Sequence, residues 1–306
     1  RVAPDAIREA FGTFVSALES AGIAFAPLDG RNRRILTSVG TVRHAYGVPR
    51  SMVAGAAALE TRGPCLLVDF RGLREYSARQ IVATIGAAWP GLRAGRVEFP
   101  GYEAVTELYA AHLARALEDP AIRGPAIERV RPLIGDAASV GFPAVLGLTR
   151  SREVHAAFEA GLGVPVFEVP TMPTSVPGLR LSSALESVVA GLGVHRRIQA
   201  RVARISFEAA ADGGDTGQGR AILALDGMAR PDEVAARNVI LATGRFSGGG
   251  LEADREAIVE RIIGLRVQQP EARSEWHDRD FLAPAGHAAN RAGVVVDRSF
   301  RPLDAE

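Results

Sequence analysis

The stretch Asn238–Gly250, NVILATGRFSGGG, constrains this chain more than any other. Val239–Ala242 is an uninterrupted apolar run of strand length. That is the pattern of a strand covered on both faces, as in the parallel sheets of α/β proteins. It runs into Ala242-Thr243-Gly244 and then a loop with three consecutive glycines. Those small residues let another group lie almost against the backbone. Ala adds one methyl, Thr offers a hydroxyl, and Gly tolerates positive φ without a side chain to obstruct. Open α/β sheets take ligands at the carboxyl ends of their strands, so this strand end is a candidate wall of a binding site. The competing account is a turn whose glycines only permit tight packing.

The rest of the pattern is α/β. Cys65–Phe70 (CLLVDF) predicts a buried strand, and the capping pattern Ser77-Ala78-Arg79-Gln80 opens a helix with Ile81, Val82, Ile85 and Trp89 on one face. Pro90-Gly91 stops that helix, and Arg96–Phe99 begins the next strand. A strand–helix–strand unit of this kind predicts a parallel pair. Further helices are predicted over Asp5–Ala21, Tyr102–Leu117, Ser151–Ala160 and Leu179–Ala190, and strands over Phe142–Leu146 and Val164–Val169. In the helix from Tyr102, His112 falls at the edge of the buried stripe formed by Val105, Leu108, Tyr109 and Leu113. Arg201–Glu208 and Ala221–Leu225 predict a meander that returns to Val239–Thr243, and Gly293–Asp297 a last strand. The glycine-rich loop Asp212–Gly219 lies between strands, which makes it a hairpin loop rather than a phosphate cradle. Three prolines in Pro170–Gly178 mark a hinge or domain crossing.

Composition narrows the function. Net charge is +1 from 36 basic and 35 acidic residues, and every basic residue is arginine, interspersed with acids. No basic stripe for nucleic acid follows from that pattern. Cys65 is the only cysteine, so neither a disulfide framework nor a thiolate cluster is available. No apolar run reaches the ~18–20 residues that span a bilayer. The Arg1-Val2-Ala3-Pro4 start has neither an initiator Met nor a signal-peptide core, and a cytoplasmic protein is expected. G-x-G-x-x-G, G-x-x-x-x-G-K-[ST], H-E-x-x-H and G-x-S-x-G are all missing from the sequence.

The run Pro170–Leu181, PTMPTSVPGLRL, resembles the family of B-type subunits of anaerobic glycerol-3-phosphate dehydrogenase, whose segment here reads Pro-Thr-x-Pro-x-Ser-Val-x-Gly-x-Arg-Leu. The resemblance continues through Leu241–Gly244, Phe246–Gly249, Ile263-Gly264-Leu265, Trp276, Phe281-x-Ala283-Pro284, Gly293-Val294 and Arg301-Pro302. Before Pro170 only the order of elements matches. The resemblance implies an α/β fold: a partial, split FAD/NAD(P)-binding-type (Rossmann-like) domain with a β-meander, plus a second α/β domain. Residues 1–169 would be the middle, cap-side domain, 170–250 part of the FAD-binding domain, and 251–306 an extension toward the substrate side. The family's N-terminal strand–glycine-loop–helix and its C-terminal glycine-rich segment have no counterpart here, so the resemblance is to a fragment lacking both chain ends. Arg245 stands where a smaller residue is expected.

The activity implied is oxidation of sn-glycerol 3-phosphate to dihydroxyacetone phosphate with FAD, or FMN, as cofactor. Electrons would pass to quinone through a catalytic flavoprotein partner and an iron–sulfur, membrane-anchoring subunit, with the complex peripheral to the inner membrane. A non-catalytic assembly or relay subunit of such a complex, or another fumarate-reductase-like FAD oxidoreductase, are the alternatives. Val202 is positioned like the residue whose main chain reads adenine, against an ordinary buried strand valine. Ala242, Thr243 and Gly244, then Gly248 and Gly249, are the cofactor candidates. Arg180 and Arg301 match family positions and could hold a phosphate or carboxylate with their planar forks, although most arginines in such a chain lie at the surface. Hydride transfer from a carbon bearing a hydroxyl needs a base for the hydroxyl proton, and His287 and His277 are the candidates, set against ordinary loop histidines.

Overall fold

The computed structural model describes residues 2–208, 219–227, 232–281 and 283–303. The described chain forms two compact units, Val2–Val194 and the residues from His195 onward.

The first unit runs α1 (Pro4–Ser20), β1 (Arg33–Leu36), β2 (Val42–Ala45), α2 (Val53–Thr61), β3 (Cys65–Phe70), α3 (Ala78–Ile85), β4 (Leu92–Val97), α4 (Ala110–Ala116), α5 (Pro120–Val130), β5 (Ser139–Pro143), α6 (Ser151–Leu162), β6 (Val166–Val169) and α7 (Val176–Gly191). Strands β4-β3-β5-β6 make a four-stranded sheet in which every pairing is parallel. The expected pair is there, with Cys65 opposite Leu92 and Phe70 opposite Val97, so β4 starts four residues before Arg96. All residues of β3, β5 and β6 are buried, including the polar Asp69, Ser139 and Glu168 within otherwise apolar runs. Phe70, Phe99, Phe142 and Phe158 pack edge-to-face or stacked at 5.0–6.4 Å between centroids. Phe167 closes against Gly55 and Gly141, where an added Cβ would lie 2.4 and 2.5 Å from its ring, so both positions need glycine.

Caps set several helix starts. Ser77 Oγ accepts from Gln80 N at 3.3 Å, and Asp119 Oδ1 accepts from Ala121 N at 2.9 Å. The Glu118 carboxylate accepts the amides of Leu148, Thr149 and Arg150 just ahead of α6. Partial desolvation pushes its pKa up, but those hydrogen bonds outweigh it and hold the group below the usual carboxylate range.

Three expected features differ. The strand expected over Phe142–Leu146 lies at Ser139–Pro143, where pairing with β6 ends at Pro143 opposite Val169. The helix expected from Tyr102 begins only at Ala110, because Leu108 is drawn into a bridge with Leu73 and Glu75 Oε2 caps Ala110 N at 3.1 Å. Val105 and Tyr109 are accordingly exposed, and His112 is exposed beside the Tyr109 ring rather than at a core edge. The proline-rich stretch does not separate the compact units. Val176 is fully buried and α7 remains in the first unit, so the seam falls at Val194/His195.

The second unit holds β7 (Arg201–Glu208), β8 (Arg220–Asp226) and β9 (Asp232–Ala236) as an antiparallel meander, then the short strands β10 (Leu251–Ala253), β11 (Ile258–Glu260), β12 (Val267–Gln268) and β13 (Gly293–Val294). The hairpin loop placed at Asp212–Gly219 falls almost wholly outside the described residues. The meander returns on β9, before the segment expected to do so. A small core of Leu251, Ile258, Trp276, Ala289 and Ala292 holds the short strands together. At its edge Glu260, 4% exposed, accepts four consecutive backbone N–H groups, from Ile262 (2.8 Å), Ile263 (2.9 Å), Gly264 (2.9 Å) and Leu265 (3.2 Å).

Candidate functional site

Nine of the ten candidate positions lie in the second unit, and Arg180 lies in the first. The strand expected at Val239–Thr243 does not form a ladder. Residues 238–243 run without a β-partner or any backbone hydrogen bond among the described residues, and Ile240 is 91% exposed. An apolar run becomes a buried strand only where neighbouring strands supply partners and cover, and the meander supplies neither here.

Ala242 and Gly244 are exposed and Thr243 is half-buried, so the strand end does present small residues outward. Gly244 has φ +70° and Gly249 φ +79°, conformations that favour glycine. The loop then folds onto its own start. A Cβ on Gly248 would lie 2.2 Å from Thr243 O, and one on Gly250 would lie 2.3 Å from Gly244 O. Gly248 is therefore required by the loop's own packing, as the turn account holds, whereas Gly249 faces open space. Arg245 reaches away to the carbonyl of Asn290. Val202 sits at a bulge of β7, the edge strand of the meander, opposite Leu225, and is half-buried.

Beyond the meander, Phe207, Val239, Ile240, Leu241, Leu265 and Phe300 line part of a cleft of about 830 Å³, with Arg220 and Arg237 among its polar residues. Arg301 is exposed between two lining residues, Phe300 and Pro302. Its main chain closes a turn with Asp297, whose Oδ1 accepts from Ser299 N and Arg301 N at 2.7 and 2.9 Å. The Arg301 amide bond, then that of Ser299, keeps the Asp297 carboxyl below its ordinary pKa.

The structure brings the two histidines together: the rings of His277 and His287 meet edge-to-face at 5.4 Å. His287 Nδ1 accepts the N–H of Asp278 at 3.0 Å. Its neutral ring therefore carries the proton on Nε2, and it can take another only by giving up that bond.

Arg180 is committed elsewhere. Nη1 and Nη2 pair with the two oxygens of Glu168 at 2.6 and 2.9 Å, and Nε donates to Gly147 O at 2.9 Å. Glu168 is fully buried and also accepts Leu146 N at 2.8 Å. The fork expected to hold a phosphate or carboxylate holds a carboxylate of the protein itself, and so ties α7 to β6 and the loop after β5. Nothing in the residue pattern alone distinguished these uses, because a bidentate guanidinium suits a buried carboxylate as well as a phosphate. Glu260 and Glu118 were missed for the same kind of reason: a carboxylate that caps backbone amides has no sequence spacing of its own.

Together these features describe an α/β chain with a parallel sheet and, apart from it, a meander followed by an extended segment of small and apolar residues. That is the fold class of dinucleotide-binding flavoproteins. The chain belongs to the FAD binding domain family, which it matches over residues 3–306, and FAD is the cofactor of that family. It is similar to a probable B-type subunit of anaerobic glycerol-3-phosphate dehydrogenase from Halobacterium salinarum, 32% identical over 285 residues, which is 89% of this chain and 64% of that protein. It is also similar to the B-type subunits of the same dehydrogenase from Pectobacterium atrosepticum (26%, 93% of this chain and 66% of the relative) and Vibrio cholerae (24%, 90% and 62%). The family read from Pro170–Pro302 is thus the one these relatives carry. The chain spans about 64% of the length of the first of them. No helix among the described residues is long and apolar enough to cross a membrane.

The residues present fit FAD along one wall. Ala242, Gly244 and Gly249 leave open backbone where a bulkier group would stand off. No glycine-rich strand-to-helix loop for the pyrophosphate occurs in the sequence.

Proposed function

We propose that this chain forms part of a flavin-dependent dehydrogenase that oxidises sn-glycerol 3-phosphate to dihydroxyacetone phosphate. Electrons then pass to quinone through a catalytic flavoprotein partner and an iron–sulfur, membrane-anchoring subunit, with the complex held at the cytoplasmic face of the membrane. The observation that carries the reading is the exposed, small-residue segment Ala242-Thr243-Gly244 within a chain of the FAD binding domain family. The relatives' names supply the substrate. FAD, or FMN, supplies the hydride acceptor when bound.

In this reading, residues 170–250 belong to the FAD-binding domain, 1–169 to the cap side and 251–306 to the substrate side. Ala242, Thr243, Gly244 and Gly249 lie against the cofactor, with Gly248 holding the loop in shape. The Val202 main chain faces adenine. Arg301 holds the substrate phosphate, and His277 takes the hydroxyl proton.

A second reading, a protein that keeps the fold but serves assembly or electron relay within the complex, draws support from one observation. Of the two arginines and two histidines expected to act on substrate, Arg180 is bound to Glu168 and His287 has its Nδ1 occupied. The protein purified from its uninterrupted reading frame distinguishes the two. A yellow protein with a flavin spectrum that bleaches anaerobically with glycerol 3-phosphate fits the dehydrogenase. Flavin without bleaching fits the relay role, and a colourless protein overturns both cofactor assignments.

A further inference from the structure

Arg245 directly follows Ala242-Thr243-Gly244, where a smaller residue is expected, and the structure gives its length a use. Its main chain is held in the glycine loop, because Arg245 O accepts from Gly250 N at 3.1 Å. Its side chain crosses to a segment 45 residues further on, where Nη1 donates to Asn290 O. A charged donor on a backbone carbonyl makes a strong hydrogen bond, and a carbonyl has a fixed place in the chain. The contact therefore locates one segment against another.

The Asn290 turn is in its turn tied to both histidine segments. Asn290 N donates to His287 O at 3.0 Å, and Ala289 N donates at 3.0 Å to the carbonyl of Trp276, the residue before His277. The two imidazoles meet at 5.4 Å, and Asp278 N donates to His287 Nδ1 at 3.0 Å. Leu251, at the far end of the glycine loop, shares a small core with Trp276 and Ala289. The glycine loop and the histidine pair are thus joined at two separated points. The core holds the loop at Leu251, and the Arg245 side chain holds it beside Gly244. Two such points fix an orientation where one would leave a pivot.

We propose that Arg245 is a positioning residue: by holding Asn290 it sets where the His277–His287 pair stands relative to the Ala242–Gly244 segment. The use of that placement rests on the flavin reading, in which this segment lies against the cofactor and a histidine takes the hydroxyl proton. The proton and the hydride leave adjacent atoms of one substrate. Base and hydride acceptor must therefore keep a fixed separation, and a misplacement of about 1 Å costs about a hundredfold in rate. Arg245 itself touches neither cofactor nor substrate in this role.

Two substitutions test it, and because Arg245 is exposed neither disturbs a core. Arg245→Met keeps much of the length and removes the donor, whereas Arg245→Lys keeps a donor of similar reach. In the purified protein at fixed pH, the ring-proton NMR resonances of His277 and His287 are assigned with His277→Gln and His287→Gln. They move and broaden in Arg245→Met and stay near their wild-type positions in Arg245→Lys. With glycerol 3-phosphate, Arg245→Met lowers kcat about tenfold to a hundredfold while KM and flavin content stay within about twofold, and Arg245→Lys recovers most of the loss. Unmoved histidine resonances in Arg245→Met overturn the proposal. A raised KM or lost flavin with kcat kept also overturns it, because the guanidinium then serves a bound ligand directly. A colourless or inactive wild type removes the flavin reading alone, and the resonances still decide whether Arg245 holds the histidine pair.

Discussion

Glu260→Gln isolates one carboxylate that organises a whole turn. In the wild type its two oxygens accept four backbone N–H groups, Ile262 on Oε1 and Ile263, Gly264 and Leu265 on Oε2. Glutamine keeps one acceptor oxygen. If that oxygen serves the three donors on the Oε2 side, the new NH₂ faces the Ile262 N–H, leaving a part-buried donor unmatched at a cost of about 1–3 kcal/mol. The three remaining bonds lose their charge assistance, which weakens each by about 0.5 kcal/mol. The sum is about 2.5–4.5 kcal/mol, concentrated in the small core that contains Trp276. With two tryptophans in the chain, 5-fluorotryptophan labelling gives one ¹⁹F resonance for the first unit (Trp89) and one for the second (Trp276). The substitution moves the Trp276 transition to lower denaturant and leaves the Trp89 transition in place. The pH dependence carries the sign. Burial pushes the Glu260 pKa up, the four amides outweigh it, and the folded value lies below the unfolded one. The carboxylate's contribution is therefore complete above the unfolded pKa of about 4.3 and disappears as pH falls through the folded value. Wild type and variant differ by a constant amount near neutrality and converge on acidification. A gap under about 0.5 kcal/mol at pH 7, or one that does not narrow in acid, refutes the reasoning.

Removing the guanidinium in Arg180→Ala strands a fully buried carboxylate and costs about 3–5 kcal/mol in denaturant unfolding followed at Trp89, while the double variant Glu168→Gln/Arg180→Met recovers most of it. A loss below about 1 kcal/mol for the single variant would show that the pair is not buried in solution. Gly141→Ala drives a methyl to 2.5 Å from Leu67 Cδ2 and the Phe167 ring, and calorimetry should register a loss of about 1–3 kcal/mol. The Cys65 thiol is fully buried, and burial pushes its pKa up to about 11. Iodoacetamide at pH 7.5 therefore labels it only as the chain unfolds, and labelling at the rate of a free thiol contradicts the packing of β3.

The β3–α3–β4 unit was legible because its local signals agree: CLLVDF, the Ser77 cap and Pro90-Gly91 each state one local choice. Helix α2 was not, because VAGAAALET is apolar all round and carries no helical period. It forms because packing against β1 and β6 favours small residues, with Gly55 giving way to Phe167. The Tyr102–Leu117 helix failed for the opposite reason. Its period was present, but tertiary contacts at Leu73 and Glu75 drew residues up to Tyr109 out of it.

At the candidate site, residue type is readable and occupancy is not. A guanidinium fork, a glycine or an imidazole states what a position is able to bind, and the surrounding chain decides what it does bind. Arg180 and His287 were drawn to partners inside the protein, Glu168 and the Asp278 amide, that no spacing rule connects to them. Gly248 is similarly taken up by Thr243. The positions whose capacity remains unused are Ala242, Gly244, Gly249 and the main chain of 238–243. They are contiguous or nearly so, and small or apolar. Spare capacity gathered in one short segment is what this unit offers a ligand, and the flavin reading rests on it.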